Sequence, residues 1–181
     1  MDFDIAMLVL RVGIGLIFVA HGLQKAFGWW EGPGWQGFKG FVAFLGPKPA
    51  PAWASISLLA ELGGGLAIIA GFLVPIAAAG LVAQTLVLGI KVHWPKGFWV
   101  GKGGIEFPIA FGAGAFALQL LGPGAWSLDA LLPLDGLYEP TVRWVILGLA
   151  VLGALVAIFW PASAPQSRVE EGPSETEAAP E

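Results

Sequence analysis

IAMLVLRVGIGLIFVAHGLQKAF, residues 5–27, is the stretch whose reading decides the fold. It is apolar for long enough to cross a hydrocarbon core, which takes ~20 helical residues. Yet it carries Arg11, His21 and Lys25. A charge at the centre of a bilayer costs at least ~2.5 kcal/mol, so such side chains face a bundle interior or a water-filled cavity as a rule. The stretch therefore predicts a spanning helix with a polar inner seam. Arg11, Gly15, Phe18, Gly22 and Lys25 share one face by their four- and three-residue spacing. His21 and Lys25, four apart, are neighbours on the helix surface.

Working outward, further apolar runs stand at about 53–72, 74–93, 104–121 and 141–160, each near the length of a span. The run from 104 is the weakest, with Glu106 and Pro108 in its first turn. Gly71 to Pro75 reads as a tight turn that makes spans two and three an antiparallel hairpin. Between the first two spans, Trp35, Phe38, Val42 and Leu45 repeat at helical spacing. They predict an interfacial helix over about 35–46. Gly63, Ala67 and Gly71 are four apart, a spacing that lets helix backbones approach closely in lipid. From residue 161 the composition turns to Pro, Ala, Ser and Glu, which predicts a disordered acidic tail over 161–181.

Composition agrees. Mean hydropathy is +0.76 and charged residues make up 12%, against about 25% in soluble proteins. The fold class is thus an all-α, polytopic transmembrane helix bundle. The acidic start, Met-Asp-Phe-Asp, predicts a retained first span, because a signal peptide has a basic n-region. No basic run supports a nucleic-acid partner. Cysteine is absent, which excludes a disulfide framework, an iron–sulfur cluster and thiol redox chemistry on this chain. With five spans, Lys25, Lys39, Lys48, Lys91, Lys96, Lys102 and Arg168 fall on one side. The other side has Arg143, besides the intramembrane Arg11. The positive-inside rule then places the tail in the cytoplasm, and the expected location is the cell inner (plasma) membrane, as a multi-pass chain.

On this topology Arg11, His21, Lys25, Glu61, His93 and Glu106 form the candidate ligand-binding set. His21, Lys25, His93 and Glu106 gather at the cytoplasmic end, Glu61 lies deeper, and Arg11 lies towards the far side. His21 and Glu61 are the candidates for a chemical role because of their depth. Lys25, His93 and Glu106 are near enough to span ends to reach water by snorkelling. Arg11 and Glu61 could instead form an ion pair that fixes helix register. His21 and His93 sit at unequal depths and have no third strong ligand, so no metal site is expected.

The run Arg11-Val-Gly-Ile-Gly-Leu-Ile-Phe-Val-Ala-His21-Gly-Leu-Gln-Lys25 resembles the opening helix of the DoxX family of membrane proteins. Glu61-Leu-Gly-Gly-Gly-Leu-Ala-Ile-Ile-Ala-Gly71 resembles its second helix. Gly103-Gly104-Ile-Glu106-Phe-Pro108, leading to Gly122-Pro-Gly124-Ala-Trp-Ser127-Leu-Asp129, completes the pattern. The resemblance implies a four-helix membrane bundle, here with a fifth C-terminal hydrophobic helix. It implies Arg11, His21, Lys25, Glu61, Glu106, Ser127 and Asp129 as motif residues. It also implies an association with quinone-linked oxidation or membrane oxidoreductase complexes. A plainer reading of Ser127 and Asp129 is a turn in which they bond nearby backbone N–H groups.

The expected function is therefore that of a quinone-linked or accessory subunit of a membrane oxidoreductase, part of an enzyme more than a complete one. Quinone is the candidate cofactor, and the candidate partners are membrane or cytoplasmic oxidoreductase subunits and the lipid bilayer. The alternatives are a small proton-coupled transporter and a non-catalytic scaffold or assembly factor. The glycines serve packing within one chain and in a homo-oligomer equally well.

Overall fold

The computed structural model describes residues 1–160; the expected tail over 161–181 lies outside them. Helix α1 (Asp2–Phe27) ends on the left-handed Gly28. A short helix, α2 (Gly34–Leu45), follows. Helices α3 (Ala50–Ala70) and α4 (Val74–Lys96) form the expected hairpin. Then come α5 (Glu106–Leu121) and α6 (Pro140–Phe159). Prolines 51, 75 and 140 stand in first turns, where a missing N–H removes no helical bond.

Helices α1, α3, α4 and α6 are long and apolar enough to cross a membrane. Helix α5 has 16 residues, about 24 Å of rise and short of the ~30 Å hydrocarbon. Contacts run α1 to α3, α3 to α4, α4 to α5 and α5 back to α1. These four close a bundle around Met7, Ile14, Phe18, Ile68, Leu81 and Leu118. Helix α6 packs on the outer side of α4. Helix α2 lies against α1 and α3, burying Phe38 and Val42 beside Ala54. The outer faces expose Val9, Leu16, Leu59, Leu66, Ile76 and Leu149, as a bundle solvated by lipid requires.

Small residues do set the closest helix approach; of the four-residue series Gly71 meets the Arg11 side chain, while the close backbone contacts of α1 and α3 fall at Gly15, Gly22 and Gly65. A Cβ on Gly65 would come 2.9 Å from the Gly15 carbonyl oxygen, and one on Gly22 would come 2.8 Å from Leu62 Cβ. Gly63 faces only Leu59 of its own helix. The reason is rotational: a π turn over Leu59–Gly63 adds a residue to the turn and shifts which glycine meets α1.

Substituting Gly65 by Leu should push α1 from α3 and destabilise the bundle by about 1–3 kcal/mol. Thermal unfolding in detergent reads this. Gly148→Ala, where an added Cβ meets nothing within 4 Å, should leave the melting temperature unchanged or raise it, because alanine favours the helix.

Candidate functional site

The π turn carries Glu61, which is 1% exposed in the middle of α3. A π turn widens the helix and re-aims its side chains, and such turns occur often at functional sites. Glu61 Oε1 accepts from the ammonium of Lys25 on α1 and from Gln84 Nε2 on α4 at 2.8 Å. The same amide donates to Ser57 Oγ at 2.6 Å. Glu61 Oε2 is buried with no partner among the described residues. Lys25 also stands 4.8 Å above the Phe38 ring, a cation–π contact that ties α2 to the pair.

Ser57 and Gln84 open onto a cavity of about 400 Å³ between α2, α3, α4 and α6. Its wall is otherwise apolar, built from side chains such as Phe38, Phe41, Trp53, Val87 and Ala154. Among the described residues Lys91 is the one ionisable side chain in the lining, and its ammonium donates to the Leu45 carbonyl at 3.0 Å. Lys91 follows Gln84 by seven residues, about 10 Å along α4. The cavity thus has an inner polar pole at Ser57 and Gln84 and an outer one at Lys91.

The other candidates fall elsewhere. Arg11 is fully buried and stands 14 residues from Lys25 on α1, about 21 Å along the axis. Its guanidinium donates to the Trp126 carbonyl and lies in the field of Asp129. It does not pair with Glu61, whose partner is Lys25. His93 Nδ1 bonds the Gly103 carbonyl at 2.7 Å, and Glu106 Oε2 accepts from the Val100 N–H at 2.9 Å. These two pin the loop between α4 and α5 and are separate from Glu61. His21 is exposed on α1. Its neighbour Gly22 is the residue that meets Leu62, which turns His21 about 100° away from α3. Of the six candidates, the structure brings together Lys25 and Glu61 alone.

Ser127 behaves as the turn reading expects, with Ala130 N donating to its Oγ at 3.2 Å. Asp129 does not. Its carboxylate reaches across the chain to the start of α4, accepting from Leu73 N at 2.8 Å and Val74 N at 2.9 Å. There it satisfies two of the donors a helix start leaves open and meets the positive end of the helix dipole. Leu73 is left-handed, with φ 48°, a conformation costly for a branched residue. The Asp129 bond to its N–H helps to hold it. Tyr138 donates its hydroxyl to the same carboxylate. Burial and this bond push the phenol pKa well above its usual value.

Sequence reading missed Ser57, Gln84 and Lys91 as site residues. Gln84 and Ser57 carry no charge to flag them, and Lys91 read only as a topology marker. Among the described residues no cluster of three or more His, Asp or Glu could hold a metal.

The family model described as DoxX matches residues 6–94, which run from α1 to near the end of α4. The chain is 30% identical over 131 residues to "Inner membrane protein YqjF" of Escherichia coli (strain K12). That alignment covers 71% of this chain and 93% of the relative. No solved structure matches the chain. The chain belongs to the DoxX family and is an integral membrane protein.

Removing one member of the buried pair strands the other. Lys25→Met or Glu61→Leu alone should each cost about 3–5 kcal/mol, whereas the double variant should recover most of that loss. Equal losses in single and double variants, measured by thermal unfolding in detergent, would refute the pairing. Tyr138 is the chain's only tyrosine. Its ultraviolet titration in the folded protein should therefore stay flat through the ordinary tyrosine pKa of ~10. Because folding raises this pKa, the contribution to stability is full below pH ~10 and is lost as pH rises beyond it.

Proposed function

We propose that this DoxX-family protein is a quinone-linked, accessory subunit of a membrane oxidoreductase, held in the inner membrane. The observation that carries the reading is the apolar cavity whose inner end is joined by hydrogen bonds to a buried ion pair. Its volume of about 400 Å³ falls in the ~300–1,000 Å³ range of small-molecule sites. Ser57 accepts from Gln84 and keeps its own O–H for a ligand carbonyl. Behind Gln84, the buried Glu61 Oε2 has no hydrogen-bond partner among the described residues. The residues fit a neutral ring with carbonyl acceptors and an apolar tail.

A bound quinone would supply two-electron, two-proton redox chemistry. The chain's own part is to bind, orient and exclude water. The aromatic wall of Phe38, Phe41 and Trp53 excludes water from the inner pole. Ser57 fixes the ligand's acceptor, and Gln84 holds Ser57 and Glu61 in register. The Lys25 ammonium stabilises the Glu61 carboxylate and connects it to the end of α1. With no cysteine in the chain, the electrons are assigned to a partner subunit. Lys39, Lys48, Lys91, Lys96 and Lys102 lie on or beside α2 and the α4–α5 loop, and the positive-inside rule supports a cytoplasmic location for that side. The relative's description as an inner membrane protein supports the location.

Titrating the purified protein in nanodiscs with a short-chain benzoquinone should give saturable binding. Ser57→Ala, which removes the hydroxyl offered to the ligand carbonyl, should weaken it about tenfold, the size of one lost hydrogen bond. No saturable binding would end the reading. Proton flux in quinone-free liposomes that is lost in Glu61→Gln would favour a proton-coupled transporter instead.

A further inference from the structure

We infer that the outer half of the same cavity is a site for the anionic head of a single-chain membrane amphiphile, with Lys91 as the residue that recognises the charge. The inference shares the cavity with the quinone reading but not its chemistry. It rests on a mismatch between wall and charge. Between the inner pole and Lys91 the cavity wall is apolar, and among the described residues no carboxylate lines it, yet Lys91 stands in it. Among the described residues the ammonium has no acidic partner within 4 Å. Its one bond is to the Leu45 carbonyl, at the C-terminus of α2.

That bond explains part of Lys91, since a cation at a helix C-terminus meets open carbonyls and the negative end of the dipole. It uses one of three ammonium donors. The remaining two stand at the end of an apolar channel, next to Pro47 and Leu45 at the interfacial helix. The inner pole is about 10 Å deeper and holds neutral side chains on the wall, with Glu61 shielded behind Gln84. A neutral ligand would leave the ammonium's charge unused. A charged ligand without an apolar chain would leave the walls unfilled. An amphiphile with a carboxylate or phosphate head and one alkyl chain satisfies both ends.

The wall itself has room for the chain. Gly80 on α4 and Gly153 on α6 both line the cavity, and a Cβ on either would meet nothing within 4 Å. Substitution there fills space without disturbing a neighbour. Gly153→Leu is therefore the cavity-filling variant, and its melting temperature is compared with that of the wild type.

The test compares palmitate, lysophosphatidic acid and hexadecanol binding to the full-length protein in nanodiscs, with the short-chain benzoquinone as a fourth ligand. The acid amphiphiles should bind at least about tenfold more tightly than the alcohol, the scale of one charge-assisted hydrogen bond. Lys91→Met should erase that preference, Lys91→Arg should keep it, and Gly153→Leu should weaken the acids with no loss of folding. Preference for palmitate identifies a free carboxylic acid as the ligand; preference for lysophosphatidic acid identifies a lipid phosphate. If the acids bind no better than hexadecanol, or if folded Lys91→Met retains the preference, the inference is overturned. Should Lys91→Met fail to fold, the wild-type comparison and Gly153→Leu still decide. Benzoquinone binding indifferent to Lys91 would leave the quinone reading standing when this one falls. Acid binding without benzoquinone binding would do the reverse.

Discussion

The Lys25–Glu61 ion pair joins three of the core helices by polar atoms, because Glu61 on α3 accepts from Lys25 on α1 and from Gln84 on α4. In lipid there is no hydrophobic drive to press these helices together. Their association depends on close packing and on polar groups whose alternative is to stand unpaired in hydrocarbon. The close approach of α1 and α3 at Gly15 and Gly65 supplies the packing, and the pair supplies the penalty for coming apart. The same pair fixes the rotation of α3. Glu61 sits within the π turn over Leu59–Gly63, and a π turn re-aims the side chains it carries.

A second fastening works at the opposite end by the same rule. The first N–H groups of α4 would be orphans at the α3–α4 turn, and Asp129 arrives from the α5–α6 loop to take two of them. Arg11 then lies in the field of that carboxylate while donating to Trp126, and Tyr138 adds a neutral donor. A Cβ on Gly71 would overlap the Arg11 guanidinium, so the glycine there answers to the arginine as much as to its left-handed φ of 67°. Of the charges that look like one scattered set in the sequence, Lys25 with Glu61 and Arg11 with Asp129 are two separate answers to desolvation.

Most of the fold was legible from apolar length alone, since the five runs and the interfacial segment reappear as helices with ends shifted by a few residues. The proline and glycine punctuation that marks those ends is local, and local chemistry is what a single sequence displays. The site was legible in part. Glu61 and Lys25 stood out by charge and depth, but their pairing depended on helix rotation, which the π turn altered and no residue pattern announced. His21 misled for a related reason. On a helix, a one-residue step is about 100°, so the neighbour of an interface glycine is an outward residue. Asp129 is the hardest case, because a Gly-Pro-Gly turn explains it locally while its partners lie 55 and 56 residues away.

The cavity follows from where the fifth helix is added. Helix α4 meets α3 and α5 within the core and turns its remaining face outward. Gly80 and Ala83 on that face are small, and so are Ala150, Gly153 and Ala154 on the facing side of α6. Two helices with small residues at their contact usually close on each other. Here, α2 and its Pro47 turn lie at one end of the α4–α6 seam with the bulky Phe38, Phe41 and Trp53, while Trp53 meets Trp160 at the end of α6 at 6.0 Å between ring centres. The aromatic side chains brace the seam where small residues would otherwise let it shut, so the space persists between them. The four-helix core alone would present Ser57 and Gln84 to bulk lipid. Helix α6 covers that polar patch with Ala150, Gly153 and Ala154, so the fifth helix supplies one wall of the cavity.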